Sequence, residues 1–453
     1  MNIILLSGGS GKRLWPLSND IRSKQFIKIF RNEDTYQSML QRVYRQIRAA
    51  DPEAVVTIAT SKSQVSAIHN QIGMDVGISV EPCRRDTFPA IALAVAYLHD
   101  IRNTPEDEAV VVCPVDPYVD ESYFRCIQEL YHAAEKGHSN LVLMGIEPTE
   151  PSEKYGYIRP NRRMRKSEDT VIATDSPKEP QYTFTEKPSR DKAWKYIREG
   201  ALWNGGVFAF RLKYVLDKSS ELLGSADYRY LYENYETLKK ISFDYAVVEQ
   251  EKSLEVLTYS GTWKDIGTWN ALSGVMEEKL IGKGIIGETC DNVHVVNELD
   301  IPVLAVGLKD TVIAASPDGI LVTSEGNADK IKPYVDALDQ QIMFAEKSWG
   351  SYQVIDVEDN SLTIKVTLNP GHKMNYHSHD HRDEVWTVVS GTGRTILDEK
   401  EQMVRPGDTI SIPQGCKHTI FAGENGIQLI EVQIGKDISL SDKKKYELNT
   451  PRQ

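Results

Sequence analysis

Two stretches of this chain hold residue types whose spacing can do chemistry. Near the start, Met1 to Leu6 (MNIILL) runs into SGGSGKRLWPLS, which puts Gly8, Gly9 and Gly11 at the carboxyl end of a short apolar strand. Backbone N–H groups without side-chain bulk around them can approach an anion closely, and phosphate is the natural guest. Neither common phosphate loop fits: a P-loop would need glycine at Leu6 and Ser or Thr at Arg13, and a dinucleotide fingerprint would need glycine at Leu14. The cations that follow, Lys12, Arg13 and Lys24, suit a polyphosphate. Far along the chain, His377, His379, Glu384 and His418 offer three imidazoles and a carboxylate. Two residues apart on a strand, His377 and His379 point the same way, and Glu384 and His418 can converge from neighbouring strands. Such a mixed N/O set suits zinc, iron, manganese or nickel; the competing reading is a solvated histidine cluster.

The elements that must position these groups follow from the apolar pattern. From residue 1 to about 270, the runs IILL, AVVTIAT, AVVVCPV and NLVLMGI alternate with helix-like TYQSMLQRVYRQIRAA, PAIALAVAYLHDI and YFRCIQELYHAAEKG. Strands separated by helical patterns predict βαβ units and a Rossmann-like, mostly parallel sheet whose ligands sit at the carboxyl ends of the strands. Both the glycine loop and Asp116, just after AVVVCPV, fall at such ends, although an Asp-Pro pair is equally a turn initiator. Residues 271–345 break into short β pieces such as GIIGETCDNVHVVN and TVIAAS, followed by the helix-like linker ADKIKPYVDALDQQIMF. Repeated short strands with Gly, Asn and Asp turns suggest a small β unit, with a few coils of a left-handed β-helix as one form of it and packing or dimerisation as its default role. Residues 346–453 are strand-rich, and predict an all-β domain.

Composition narrows the class. The 453 residues allow two or three domains. With 53 Lys+Arg against 65 Asp+Glu, a net charge of −12 gives no global basic field for nucleic acid or an anionic membrane. Anionic substrates must be held by local cations. Five scattered cysteines without a C-x-x-C pair argue against a disulfide framework and a cysteine zinc site. No run reaches the ~18 apolar residues of a membrane helix. The expected location is the cytoplasm.

SGGSGKRLWPLSNDIRSKQF resembles the signature of the sugar-1-phosphate nucleotidyltransferases, specifically mannose-1-phosphate guanylyltransferases that carry a C-terminal phosphomannose-isomerase-like domain. Lys12 stands where that family usually has Thr, and Ser23 where it has Pro. The resemblance continues in order through EPCRRDTFPAIALA, VCPVDPYV, EPSEKYGYIRP, FTEKPS, LWNGGVFAF, ISFDYAVVE and WKDIGTW. It implies Mg²⁺ on Asp116 and Asp265, triphosphate contacts from Gly8, Gly9, Gly11, Lys12, Arg13, Lys24 and Arg85, and sugar-phosphate contacts from Gly156, Glu186, Lys187, Asn204 and Gly206. Arg13, Lys24, Lys187, Asp116 and Asp265 are then the catalytic set. The family's Ser and His flanking the aspartate are Val115 and Pro117 here, and its serine in the sugar loop is Gly205.

In this last domain, the spacings Gly371, His377, His379, Glu384, Gly391 and Gly407, Pro413, Gly415, His418 resemble the two cupin motifs, which implies a small double-stranded β-barrel. That resemblance implies a divalent transition metal, zinc first, on His377, His379, Glu384 and His418. Ala422 replaces the second motif's asparagine, and His377, Asp383 and Val385 depart from the bifunctional family. Arg382 is retained, and could hold a substrate phosphate. The implied function is transfer of GMP from GTP to mannose 1-phosphate, giving GDP-mannose and pyrophosphate in nucleotide-sugar biosynthesis, with a second activity interconverting mannose 6-phosphate and fructose 6-phosphate. The alternatives are another base or sugar 1-phosphate, and a cupin that only binds ligand or supports assembly.

Overall fold

The computed structural model describes all residues except 10–11, 20, 161–181, 339–341, 437, 440–441 and 449–453. Gly11, expected at the phosphate loop, lies outside the described residues. The chain divides into two compact units: residues 1–9, 28–65 and 73–267 form the first, and residues 10–27, 66–72 and 268–453 the second.

In the first unit, Asn2–Ser7 (β1) lies between the parallel strands Val55–Ser61 (β2) and Ala109–Pro114 (β4), and Gly77–Glu81 (β3) extends the sheet beyond β2. Ile3, Ile4 and Leu5 are all buried, as an apolar run with parallel neighbours and helical cover should be. Pro117–Val119 (β5) follows Asp116, and Leu141–Ile146 (β6), Tyr157–Pro160 (β7), Tyr182–Thr185 (β8), Leu202–Arg211 (β9), Leu254–Tyr259 (β10) and Trp263–Asp265 (β11) follow in the same unit. The sheet runs β8-β7-β9-β4-β1-β2-β3, with β6 pairing β9 and β10. It is mixed: β9 runs antiparallel to β4, β6 and β7. The βαβ pattern therefore describes the half of the sheet that starts at β1, while β9 reverses direction and is bulged between Asn204 and Phe208. The helix Met39–Ala50 begins at a capping box, Ser38 Oγ accepting from Gln41 N at 3.1 Å and Gln41 Oε1 accepting from Ser38 N at 3.0 Å.

In the second unit, Leu280–Gly282 (β12), Asp291–Asn297 (β14) and Lys309–Ser316 (β16) stack in parallel, as do Gly284–Ile286 (β13) and Val303–Ala305 (β15). Val293, Val295, Ala305 and Ile313 fill the interior of this coil. Gly319–Ser324 (β17) turns back antiparallel on β16. Of the expected helical linker, only Lys332–Asp336 is helical among the described residues. Phe344–Lys347 (β18), Gly350–Glu358 (β19), Ser361–Leu368 (β20), His377–Ser378 (β21), Arg382–Leu397 (β22), Lys400–Val404 (β23), Thr409–Ile412 (β24) and His418–Gly435 (β25) form an antiparallel cupin barrel around Trp386, Leu429 and Ile420. No helix among the described residues is long and apolar enough to cross a membrane.

Removing the cap hydroxyl at Ser38 strands the N–H of Gln41. Ser38→Ala should cost about 1 kcal/mol and lower the melting temperature of the first unit; an unchanged melting temperature would show that the cap contributes nothing.

Candidate active sites

The carboxyl ends of β1, β2 and β3 open onto a cavity of about 320 Å³ lined by Gly8, Gly9, Gln64, Glu81, Arg84, Thr87 and Asp116 among others. Gly9 has φ +105°, a conformation that favours glycine, and both loop glycines are exposed to the cavity. The buried amide of Gln64 accepts from Thr60 Oγ1 at 2.9 Å and donates to Gly9 O at 3.4 Å, so the glycine turn is held from behind. Glu81 accepts from Tyr235 at 2.8 Å, while burial pushes its carboxyl up. Arg84 lines this cavity and its neighbour Arg85, expected from the sequence, does not. On the loop beyond the undescribed residues, Lys12 is ion-paired with Asp336 at 3.1 Å, Arg13 is exposed, and Lys24 opens a short 3-10 turn, Lys24–Phe26.

Asp116 is also a wall of a second cavity, of about 260 Å³, which Gly156, Glu186, Asn204, Gly206, Asp244, Trp263 and Asp265 help to line. Antiparallel pairing of β5 with β11 sets Asp265 opposite Pro117, which brings the two aspartates expected to hold magnesium to one cavity. Oxygen donors with room for water and phosphate match what Mg²⁺ takes. Gly156 leaves space that a side chain would fill, since a Cβ there would sit 2.5 Å from Glu186 Oε2 and from the Phe184 ring. At the bulge of β9, Asn204 Oδ1 accepts from Gly206 N at 3.1 Å, with Gly206 at φ +66°. Lys187 also has a left-handed backbone, φ +44°, and its exposed ammonium pairs with Glu186 at 2.8 Å.

Sequence reasoning missed Asp244, although it lies in the quoted segment ISFDYAVVE. Its carboxylate accepts from Asn204 Nδ2 at 2.6 Å, and burial, followed by the nearby Glu186, pushes it up to about 6. Also missed were Tyr155 and Trp263, whose rings pack edge to face at 5.2 Å beside the same cavity. Nothing in their spacing marks them, because an aromatic at a strand end is most often core.

In the cupin, His377 pairs across the ladder with His418, and His377, His379 and His418 converge so that one ring nitrogen of each lies within 4.8 Å of the others. Each Nδ1 is tied to a backbone carbonyl: His377 to Asn375 at 2.6 Å, His418 to Cys416 at 2.9 Å, and His379 to Asp442. That fixes the rings with Nε2 facing inward, the arrangement that metal-binding histidines use. Glu384 lies 3.1 Å from His379 Nε2 and 3.4 Å from His418 Nε2. His418 Nε2 is buried with Glu384 at 3.4 Å, and among the described residues it accepts no hydrogen bond, which leaves its lone pair for a cation. Burial pushes His377 and His379 down, the latter to about 4, so both stay neutral and able to ligate. The three histidines therefore fit a divalent metal, with the Glu384 carboxylate beside them.

Arg382, expected to meet a phosphate, is buried and donates to Glu384 Oε1 at 2.9 Å and to Ser439 O at 3.1 Å. Its placement orients the carboxylate. Deeper in the barrel, Glu431 accepts from Gln433 at 2.6 Å; burial pushes Glu431 up and Lys443 down. Both escaped sequence reasoning, Glu431 as a polar residue on the long strand β25 and Lys443 as one of three consecutive lysines.

These features define the class, a nucleotidyltransferase sheet carried on one chain with a histidine-bearing cupin. The chain belongs to the Nucleotidyl transferase family, which matches residues 2–280, and residues 337–447 match the Mannose-6-phosphate isomerase C-terminal family. It is 29% identical to the mannose-1-phosphate guanylyltransferase RfbM of Salmonella typhimurium, over 97% of this chain and 95% of that one. It is 30% identical to the xanthan biosynthesis protein XanB of Xanthomonas campestris pv. campestris, over 98% and 97%. Among solved structures, a mannose-1-phosphate geranyltransferase from Thermus thermophilus is similar at TM-score 0.59 and 29% identity, covering 75% of this chain and 99% of that one.

If the cupin residues hold metal, purified protein should carry close to one equivalent of a divalent ion per chain by elemental analysis, and His379→Ala should carry much less. Equal content in both would reject the site.

Proposed function

We propose that the first unit transfers GMP from GTP to mannose 1-phosphate, giving GDP-mannose and pyrophosphate. The observation that carries this reading is the shared wall at Asp116: one cavity holds the glycine turn and the other holds the carboxylates and the amide suited to a sugar. A sugar phosphate in the second cavity would lie beside a nucleotide in the first, which in-line displacement at the α-phosphorus requires. The sugar 1-phosphate oxygen attacks, the P–O bond to the β-phosphate breaks, and pyrophosphate leaves with the electron pair. Asp116 and Asp265 would hold Mg²⁺, which supplies charge neutralisation at the phosphates. Lys12, Arg13 and Lys24, on the loop that continues from Gly9, are the cations for the triphosphate, and Lys187 is the cation for the sugar phosphate.

Asn204 presents an amide that both donates and accepts, and Asp244 presents an acceptor; together they are suited to neighbouring sugar hydroxyls. The base is read from the first cavity, where Glu81 offers a carboxylate to N–H donors and Arg84, with Arg85 beside it, offers cations. Guanine and mannose are favoured because relatives that span nearly the whole chain carry mannose-1-phosphate guanylyltransferase names.

For the cupin we propose a metal-dependent phosphosugar site with mannose 6-phosphate as its ligand and isomerisation as its reaction. A metal on His377, His379, Glu384 and His418 would polarise substrate oxygens when bound. Arg382 orients Glu384, and the strongly buried Glu431 is placed to hold or release a proton within the barrel. Cytoplasmic location and assembly as a homodimer accompany this reading.

Release of pyrophosphate, measured with each nucleoside triphosphate and a panel of sugar 1-phosphates in the presence of Mg²⁺, should favour GTP with mannose 1-phosphate. Another preferred pair would change the substrate, and no turnover with any pair would remove the class. Asp244 gives a pH test. Its folded pKa is raised to about 6, so its negative charge is present above that value and is lost as pH falls through it. The KM for mannose 1-phosphate in the parent enzyme should therefore rise below pH ~6 more steeply than in Asp244→Asn. The comparison cancels the substrate's own phosphate titration, which occurs near pH ~6 as well. Superimposable profiles would take Asp244 out of the sugar site.

A further inference from the structure

Among its described residues, 12–19 and 21–27, the cationic loop has little secondary structure of its own: two three-residue 3-10 turns, Lys12–Leu14 and Lys24–Phe26, and turns of that length supply few hydrogen bonds. Its order must come from elsewhere in the second unit. Arg22 is buried, and its guanidinium meets Glu298 as a fork, Nη1 to Oε2 at 2.7 Å and Nη2 to Oε1 at 2.8 Å. Glu298 is itself fixed, its N–H donating to Ala315 O at 2.8 Å beside the end of β16. Three residues before Arg22, Asn19 Nδ2 donates to Asp318 Oδ2 at 2.6 Å, and Asp318 Oδ1 accepts from Met343 N at 2.7 Å. Asn19 Oδ1 accepts from the N–H groups of Ile21 and Arg22 at 2.9 and 2.7 Å, so the two ties share one turn. The preceding residues are held from the same side. Ser316 Oγ donates to Pro16 O at 2.7 Å and Trp269 Nε1 to Trp15 O at 3.0 Å, while the missing side chain of Gly319 leaves room for the Trp15 ring.

We propose that Glu298 and Asp318, which carry none of the expected substrate contacts, are positioning residues for nucleotide binding: through Arg22 and Asn19 they hold the loop that presents Arg13 and Lys24. The proposal rests on the reading that this loop meets the triphosphate. A bidentate guanidinium–carboxylate pair fixes direction as well as distance, which a single lysine contact would not. Releasing it would let Lys24, two residues on, sample many positions, and the ordering cost would fall on GTP binding. The sugar phosphate, held by other residues, would not feel the change.

The test uses the full chain with GTP and mannose 1-phosphate as probes. Glu298→Gln should raise the KM for GTP about tenfold while the KM for mannose 1-phosphate stays within about twofold, a split that general loss of folded protein would not produce. Glu298→Asp, which restores the charge, should recover part of the loss. Amide hydrogen exchange of peptides covering residues 12–26 should quicken in Glu298→Gln against unchanged exchange in β1 and β4. Should that variant fail to fold, Asn19→Ala cuts the other tie and should give the same split. Unchanged GTP kinetics, an equal rise in both KM values, or parental exchange in 12–26 would each overturn the proposal. If the parent protein does not turn over GTP, the guanylyltransferase reading fails, and exchange alone then decides whether the clamp holds the loop.

Discussion

Burial of β1 between two parallel neighbours constrains the chemistry of the first unit. The backbone groups of this strand are committed to β2 and β4 on either side, and Ile3, Ile4 and Leu5 are covered on both faces. Only its carboxyl end can meet a ligand. Because β4 lies in register with β1, its own carboxyl end brings Asp116 to the same edge, and because β5 continues directly from Asp116, the pairing partner β11 brings Asp265 there too. One buried strand thus fixes where the glycine turn, Asp116 and Asp265 converge.

This half of the architecture was legible because parallel strands leave continuous apolar runs in the sequence. IILL and AVVVCPV announce themselves, and the glycines and aspartate at their ends follow. The antiparallel insertion of β9 was not legible, since LWNGGVFAF reads equally well in either direction and pairing direction is decided by what it packs against. Asp244 was missed for a related reason: it sits in the short helix Phe243–Ala246, where a lone Asp after a Ser cap is ordinary helix-start chemistry. Its raised carboxyl comes from burial beside Glu186, a neighbour 58 positions away in sequence and invisible to local pattern.

The second unit shows the same division between local and long-range signal. His377, His379, Glu384 and His418 could be picked out by spacing because strand geometry has a strict period of two. What fixes their rings, the carbonyls of Asn375, Cys416 and Asp442, could not, since backbone acceptors leave no trace in residue type. Nor could the sequence show that residues 10–27 pack with the second unit, because the tie between Arg22 and Glu298 spans 276 positions.

Strand period also decides how much weight the unusual residues of the cupin deserve. Asp383 and Val385 flank Glu384 and depart from the pattern of the bifunctional family, which by sequence adjacency places them beside the candidate metal site. Along β22, however, Arg382, Glu384 and Trp386 are buried and face the barrel interior, while Asp383 is exposed and Val385 is only half-buried. Asp383 accepts from Gln414 N at 2.7 Å, a loop contact on the outside. Adjacent in sequence means opposite in direction on a strand, so these two departures leave the ligand set untouched. His377 also departs from that pattern and does reach the interior, where it is buried and supplies the third imidazole beside His379 and His418. A third imidazole suits a borderline divalent cation, so this departure favours metal at the site.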